Sequence, residues 1–104
     1  MLTSTIKPED IDPEGVLMPG KYVMKGIEIV WPLIVRWCQT KGGWVPFSNA
    51  ELLPFCKNHV TDDLYVGIGL MQLHEKGFLT KLGQFTYEVT EAFVQLLPRK
   101  QPPR

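Results

Sequence analysis

The chain predicts an α+β domain on three observations. Apolar residues recur at helical spacing in three successive stretches, the period changes to two after Gly77, and glycine, proline and capping residues stand at the joins. With 104 residues there is room for one compact core and not for two. A hydrophobic content of 44% against 21% charged residues is a globular balance, which sets aside a disordered chain.

Residues 1–26 read as an N-terminal arm, because Pro8, Pro13, Pro19, Gly15, Gly20 and Gly26 interrupt the chain too often for a long helix. Its acidic part, Glu9, Asp10, Asp12 and Glu14, precedes "VLMPGKYVM". There Val16, Leu17, Met18, Tyr22, Val23 and Met24 are apolar enough to dock on the chain's own core or on a partner surface, a second copy included.

The first helix is expected over 28–40, stopped by Gly42-Gly43. Pro32 is tolerable only in a first turn, so the regular part is expected to begin near Trp31. Ile29 or Leu33, with Ile34, Trp37 and Cys38, forms a wide apolar stripe. Trp44 and Val45 read as a short extended segment.

A second helix follows a reciprocal capping box, in which Ser48 accepts from the Glu51 amide and Glu51 returns to the Ser48 amide, with Phe47 stapled on Leu52. Leu52, Leu53, Phe55 and Cys56 follow, and Pro54 is expected to kink the helix or tighten its turn. In the third helix Thr61 is the expected cap, Asp62 and Asp63 occupy the first turn, and Val60 staples on Tyr65. Val66, Leu70 and Leu73 form its core stripe, and Gly77 ends it. Gly67 and Gly69 cost about 1 kcal/mol each relative to alanine, so close approach of another backbone is expected there.

Beyond Gly77, "FLTKL" and "FTYEV" flank Gly83-Gln84, and Phe85, Tyr87 and Val89 alternate with Thr86 and Glu88, a hairpin with one buried face. Thr90 then caps a last helix carrying Ala92, Phe93, Leu96 and Leu97, which Pro98 ends. The basic segment 98–104 is expected to be a mobile tail.

The segment from Phe47 to Thr90 resembles the winged helix-turn-helix superfamily. The likeness rests on the capped second helix, the turn at His59 to Thr61, the passage "GLMQLHEKGFLTK" with Leu70, Leu73, Gly77, Phe78 and Leu79 at the family's spacing, and the "YEVT" strand. It covers about residues 27–97. It implies three core helices, a C-terminal hairpin wing and a short terminal helix, with the helix at 62–76 placed toward a DNA major groove and the wing beside it.

Two functional readings follow. If Val66, Leu70 and Leu73 face inward, the opposite side presents Tyr65, Gln72 and Lys76, which with Lys81 and Gln84 of the wing are the candidates for contacting double-stranded DNA in a small transcriptional regulator. Lys21, Lys25, Arg36 and Lys41 add a local basic surplus over Glu28, and Arg99, Lys100 and Arg104 a basic contact from the tail. Against DNA stand Asp62 and Asp63, a wing without arginine, and eleven basic residues cancelled by eleven acidic ones, which removes any long-range positive field. In the second reading Leu64, Tyr65, Ile68 and Met71 form an apolar strip that either is packed by Tyr22, Val23 and Met24 of the arm or makes the domain a non-catalytic adapter that binds a protein partner or a second copy.

An enzyme is not expected. Cys56 and His59 are three apart with no third group to orient the imidazole, and no phosphate loop or zinc-ligand spacing occurs, so neither cofactor nor metal is expected. Cys38 and Cys56 read as free buried thiols of a reducing compartment. The N-terminus lacks the pattern of a secretory signal, and "IEIVWPLIVRWC" is interrupted and too short to span a bilayer. The expectation is a soluble cytoplasmic protein without membrane association.

Overall fold

The computed structural model describes residues 2–17 and 24–100, with the side chains of His59 and Val60 excepted. Met18, Tyr22, Val23, Lys21, Arg104 and the proposed Val60 staple therefore lie outside the described residues. A 3-10 turn at Pro8–Asp10 is followed by α1 (Lys25–Lys41), β1 (Phe47–Ser48), α2 (Asn49–Leu52, continued by a 3-10 turn at Leu53–Phe55), α3 (His59–Glu75), β2 (Leu79–Lys81), β3 (Thr86–Val89) and α4 (Glu91–Leu96). The class is α+β: four α-helices and a three-stranded antiparallel sheet of order β1-β3-β2.

Helix α1 begins three residues before the expected position, which leaves Pro32 in its interior rather than its first turn. Its N-terminal half persists because Gly26, Ile27, Val30 and Trp31 are buried there, and that packing outweighs the hydrogen bond Pro32 cannot donate. Both long helices end on the same device. Gly42 and Gly77 take left-handed φ of 74° and 80°, and the amides beyond them reach back five residues, Gly43 to Cys38 O at 3.3 Å and Phe78 to Leu73 O at 2.9 Å.

The capping box at Ser48 is built around Glu51, whose Oε1 accepts from both the amide and the hydroxyl of Ser48 at 3.0 Å. Pro54 converts the continuation of α2 into a 3-10 turn, one of the two outcomes its position allowed. Helix α3 starts earlier than expected, and its cap is Asn58 instead of Thr61. The Asn58 carbonyl accepts from Asp62 N, its Oδ1 from Thr61 N, and its own amide donates to Asp62 Oδ2.

The hairpin pairs Leu79 with Val89, Thr80 with Glu88 and Lys81 with Tyr87. The third strand is Phe47–Ser48, paired with Tyr87 and Thr86, and not the expected Trp44-Val45. Trp44 is instead a buried anchor for the arm, its Nε1 donating to Ile6 O at 2.7 Å. Phe85 departs from the alternation. The turn closes through Leu82 N to Thr86 O, so Phe85 falls in the turn, 62% exposed, while Tyr87 and Val89 are buried. Thr90 precedes α4 but does not cap it through its side chain; the hydroxyl donates to the carbonyls of Gly77 and Phe78, tying α4 to the end of α3.

The described part of the arm docks on the chain's own core. Ile11 is fully buried, Leu17 nearly so, and Gln39 Nε2 donates to the carbonyls of Pro8 and Ile11 at 3.1 Å. Val16 points to solvent. The beginning of the tail is fixed in the same layer: Ile11 bridges Arg99, Asp12 N donates to Pro98 O, and Lys100 N to Asp10 O. Residues 98–100 are thus structured, against the expectation of a tail mobile from 98, and the arm is part of the domain that was expected to begin at residue 27.

Candidate functional site

Helix α3 has two covered sides and one open side. Val66, Leu70 and Leu73 are 0–1% exposed, as the stripe of apolar residues requires. A second side faces α1. Gly69 is buried there against Gly26, and a Cβ built on Gly69 would stand 2.6 Å from the Gly26 carbonyl carbon and 2.7 Å from Val30 Cγ1. The hydrogen that occupies that direction points at the Gly26 carbonyl, the geometry of a Cα–H···O contact between crossing helices. Gly67 does not share this role, since a Cβ there would meet only Asn49 Nδ2 at 3.6 Å.

The α1 contact decides the fate of two expected DNA-contacting residues. Gln72 sits against the start of α1, its Oε1 buried, without a hydrogen-bond partner, and 2.7 Å from a Cβ built on Gly26. As placed, that oxygen lies against α1, while Gln72 as a whole is half-buried. Tyr65 is half-buried, with Lys25 Nζ 4.8 Å from its ring centre. Lys76, Lys81 and Gln84 are exposed, the first at the end of α3 and the others on the hairpin.

Among the described residues, the cations expected along the first helix are engaged within the chain. Arg36 pairs with Glu14, Lys41 lies over Trp37 at 4.5 Å, and Lys25 covers Tyr65. In the tail, Arg99 donates to Leu97 O. No continuous track of free cations is assembled from these residues.

What α3 offers outward is Leu64, 67% exposed, Ile68, 37%, and Met71, 58%. Their spacings of four and three put them on one line of the helix, and Glu75, also exposed, continues it. Asp63 and His74 are exposed along one flank of that line, His74 also meeting Tyr87 edge-on at 6.0 Å. Tyr65, grouped with this strip in the sequence, belongs to the α1 side. No family model matches the chain, and no curated protein or solved structure matches it significantly.

Leu82 and Phe85, at 51% and 62%, form a separate apolar pair at the hairpin tip that the period-two pattern assigned partly to the core. An open cavity of about 520 Å³ lies between the arm and α1, lined by Glu14, Val16, Leu17, Glu28, Trp31 and Arg36 among others. Its charged rim is tied up by the Glu14 contacts to Arg36 and Lys57.

The thiols are placed apart and free. Burial pushes Cys38 up from 9.0 to about 11, partly offset by its contact with Val45 O. Burial also raises Cys56, followed by the carboxylates of Asp62 and Asp63, which makes it a poor nucleophile. Cys56 follows the 3-10 turn whereas His59 opens α3, so the two stand on different elements. Among the described residues no group of three or more His, Cys, Asp or Glu is placed to hold a metal ion, and no helix is long and apolar enough to cross a membrane.

Proposed function

We propose that this chain is a non-catalytic winged-helix domain that binds protein through the outward face of α3. The winged-helix assignment is supported by the element order, helix, strand, helix, helix, hairpin, and by the sheet order β1-β3-β2, which sets the hairpin at the end of α3 and the short strand against it. The functional assignment is carried by one observation. Leu64, Ile68 and Met71, continued by Glu75, form a line of α3 open to solvent, while Oε1 of Gln72 is turned onto α1.

Such a surface is poorly matched to phosphates. Apolar side chains gain by removing area from water at about 25 cal/mol per Å², whereas a duplex offers them charged oxygens and only the thymine methyl as an apolar partner. Asp63 and Glu75 on the same side repel a polyanion, and a net charge of zero supplies no steering to overcome that. An apolar centre with a sparse charged rim is the pattern of protein interfaces.

Double-stranded DNA is the competing reading, favoured by the exposure of Lys76, Lys81 and Gln84. Titration of the full chain with a labelled random duplex at low salt separates the two. The protein-binding reading expects no saturable binding up to tens of micromolar. Saturable binding that weakens with salt, and weakens again in Lys76→Ala, would establish the DNA reading instead.

A further inference from the structure

We propose that the partner of the α3 face is a second copy of this chain, packed with its α3 antiparallel about a two-fold axis at Ile68. The inference rests on the protein-binding reading above and names its occupant.

Leu64, Ile68 and Met71 are almost symmetric about Ile68. In an antiparallel pair crossing there, Ile68 meets Ile68 of the second copy, and Leu64 of each copy meets Met71 of the other. The same surface is used twice, as an isologous contact requires. Leu64 and Met71 are two turns apart, about 10 Å, so the three side chains cover one continuous helical line.

Charge placement selects the antiparallel sense. At 100° per residue Asp63 and His74 lie on the same flank of the apolar line, near its opposite ends, and both are exposed. In an antiparallel two-fold pair each flank meets itself in reverse, so Asp63 of each copy comes opposite His74 of the other. Glu75 then lies beside the N-terminal turn of the second helix, where the helix field favours a carboxylate. A parallel pair would set Glu75 on Glu75 and leave Asp63 and His74 of the two copies on opposite flanks. Identical copies of a chain with zero net charge also approach without long-range repulsion.

One helix pair is smaller than the roughly 1,600 Å² of a standard interface, so the dimer is weak and concentration-dependent. Sedimentation analysis of the full chain from about 5 to 500 µM tests it. The mass is expected to rise from 11.9 kDa toward twice that value. Ile68→Glu and Met71→Glu are expected to remain monomeric with unchanged thermal midpoints, because both positions are on the surface. Asp63→Lys and His74→Glu should each weaken association by about tenfold, and the double variant, which sets a lysine opposite a glutamate across the axis, should recover most of it.

A chain monomeric throughout, association that survives Ile68→Glu, or a double variant no better than the singles would overturn the inference. Loss of association in Phe85→Ser with retention in Ile68→Glu would do the same, by moving the contact to the hairpin tip. The duplex titration keeps the two levels apart: a monomer that ignores DNA removes the second copy and leaves the protein-binding reading, whereas saturable duplex binding removes that reading itself.

Discussion

Gly69 of α3 and Gly26 of α1 meet backbone to backbone, with no room for a side chain on either residue. A Cβ on Gly26 would lie 2.9 Å from Gly69 N and 3.0 Å from Gly69 Cα. This crossing holds the start of α1 on the flank of α3, buries Oε1 of Gln72 and leaves the Leu64 line open.

The two glycines of "VGIGL" are therefore expected to respond oppositely to alanine. Gly69→Ala inserts a methyl against backbone that cannot yield without separating the helices, and should cost about 2 to 4 kcal/mol in urea unfolding. Gly67→Ala meets only ordinary contact with Asn49 and should stabilise by about 0.5 to 1 kcal/mol through helix propensity. Equal effects at the two positions would contradict the crossing.

Removing the buried amide of Gln72 tests the same contact from its polar side. Its Oε1 has lost water without gaining a partner, a cost of about 1 to 3 kcal/mol. Gln72→Met keeps the length of the side chain and should leave stability unchanged or raise it by about 1 kcal/mol, measured by chemical unfolding. A loss larger than 1 kcal/mol would mean that the amide is hydrogen-bonded.

Much of this arrangement was legible in the sequence and part of it was not, for physical reasons. Val66, Leu70 and Leu73 declared the core side of α3 because a helix buried along one line needs that spacing. Gly69 declared a close approach. What covered it was not readable, because a first-turn place for Pro32 starts the helix at Glu28 and leaves Lys25, Gly26 and Ile27 outside it. Without that first turn, the side of α3 carrying Tyr65 and Gln72 looks free. Asn58 was overlooked as the cap because Thr61, Asp62 and Asp63 make an equally good cap three residues later. The exposure of Leu64, Ile68 and Met71 was legible, since they stand on the helix opposite the core stripe.

The arm should behave as part of the core. Ile11 is fully buried and its segment is bonded to Gln39 and to Pro98, so Ile11→Ala should destabilise by about 2 to 5 kcal/mol. Trp44→Phe, which removes only the donor to Ile6 O, should cost about 1 kcal/mol. Tryptophan fluorescence and thermal unfolding report the first, and thermal unfolding the second. An arm that merely rests on the surface would show neither loss.

Cys38 gives a pH dependence with a definite sign. Its thiol titrates at about 11 in the folded chain against 9.0 when unfolded, so above pH 9 the unfolded state loses the proton first. The stability this contributes is complete below pH 9 and declines as pH rises toward 11. Between those values the wild type should lose about 2 kcal/mol more than Cys38→Ala. Parallel curves for the two proteins would show that Cys38 ionises as freely in the folded chain as in the unfolded one.

What α3 can bind depends on which of its side chains face water. The most direct test is solvent paramagnetic relaxation by NMR on dilute full-length chain, below the concentration at which copies pair. A soluble gadolinium complex is expected to broaden the methyl signals of Leu64, Ile68 and Met71 strongly, while those of Val66, Leu70 and Leu73 stay sharp. Sharp Leu64 and Met71 methyls beside broadened Val66 and Leu70 methyls would contradict that orientation of α3.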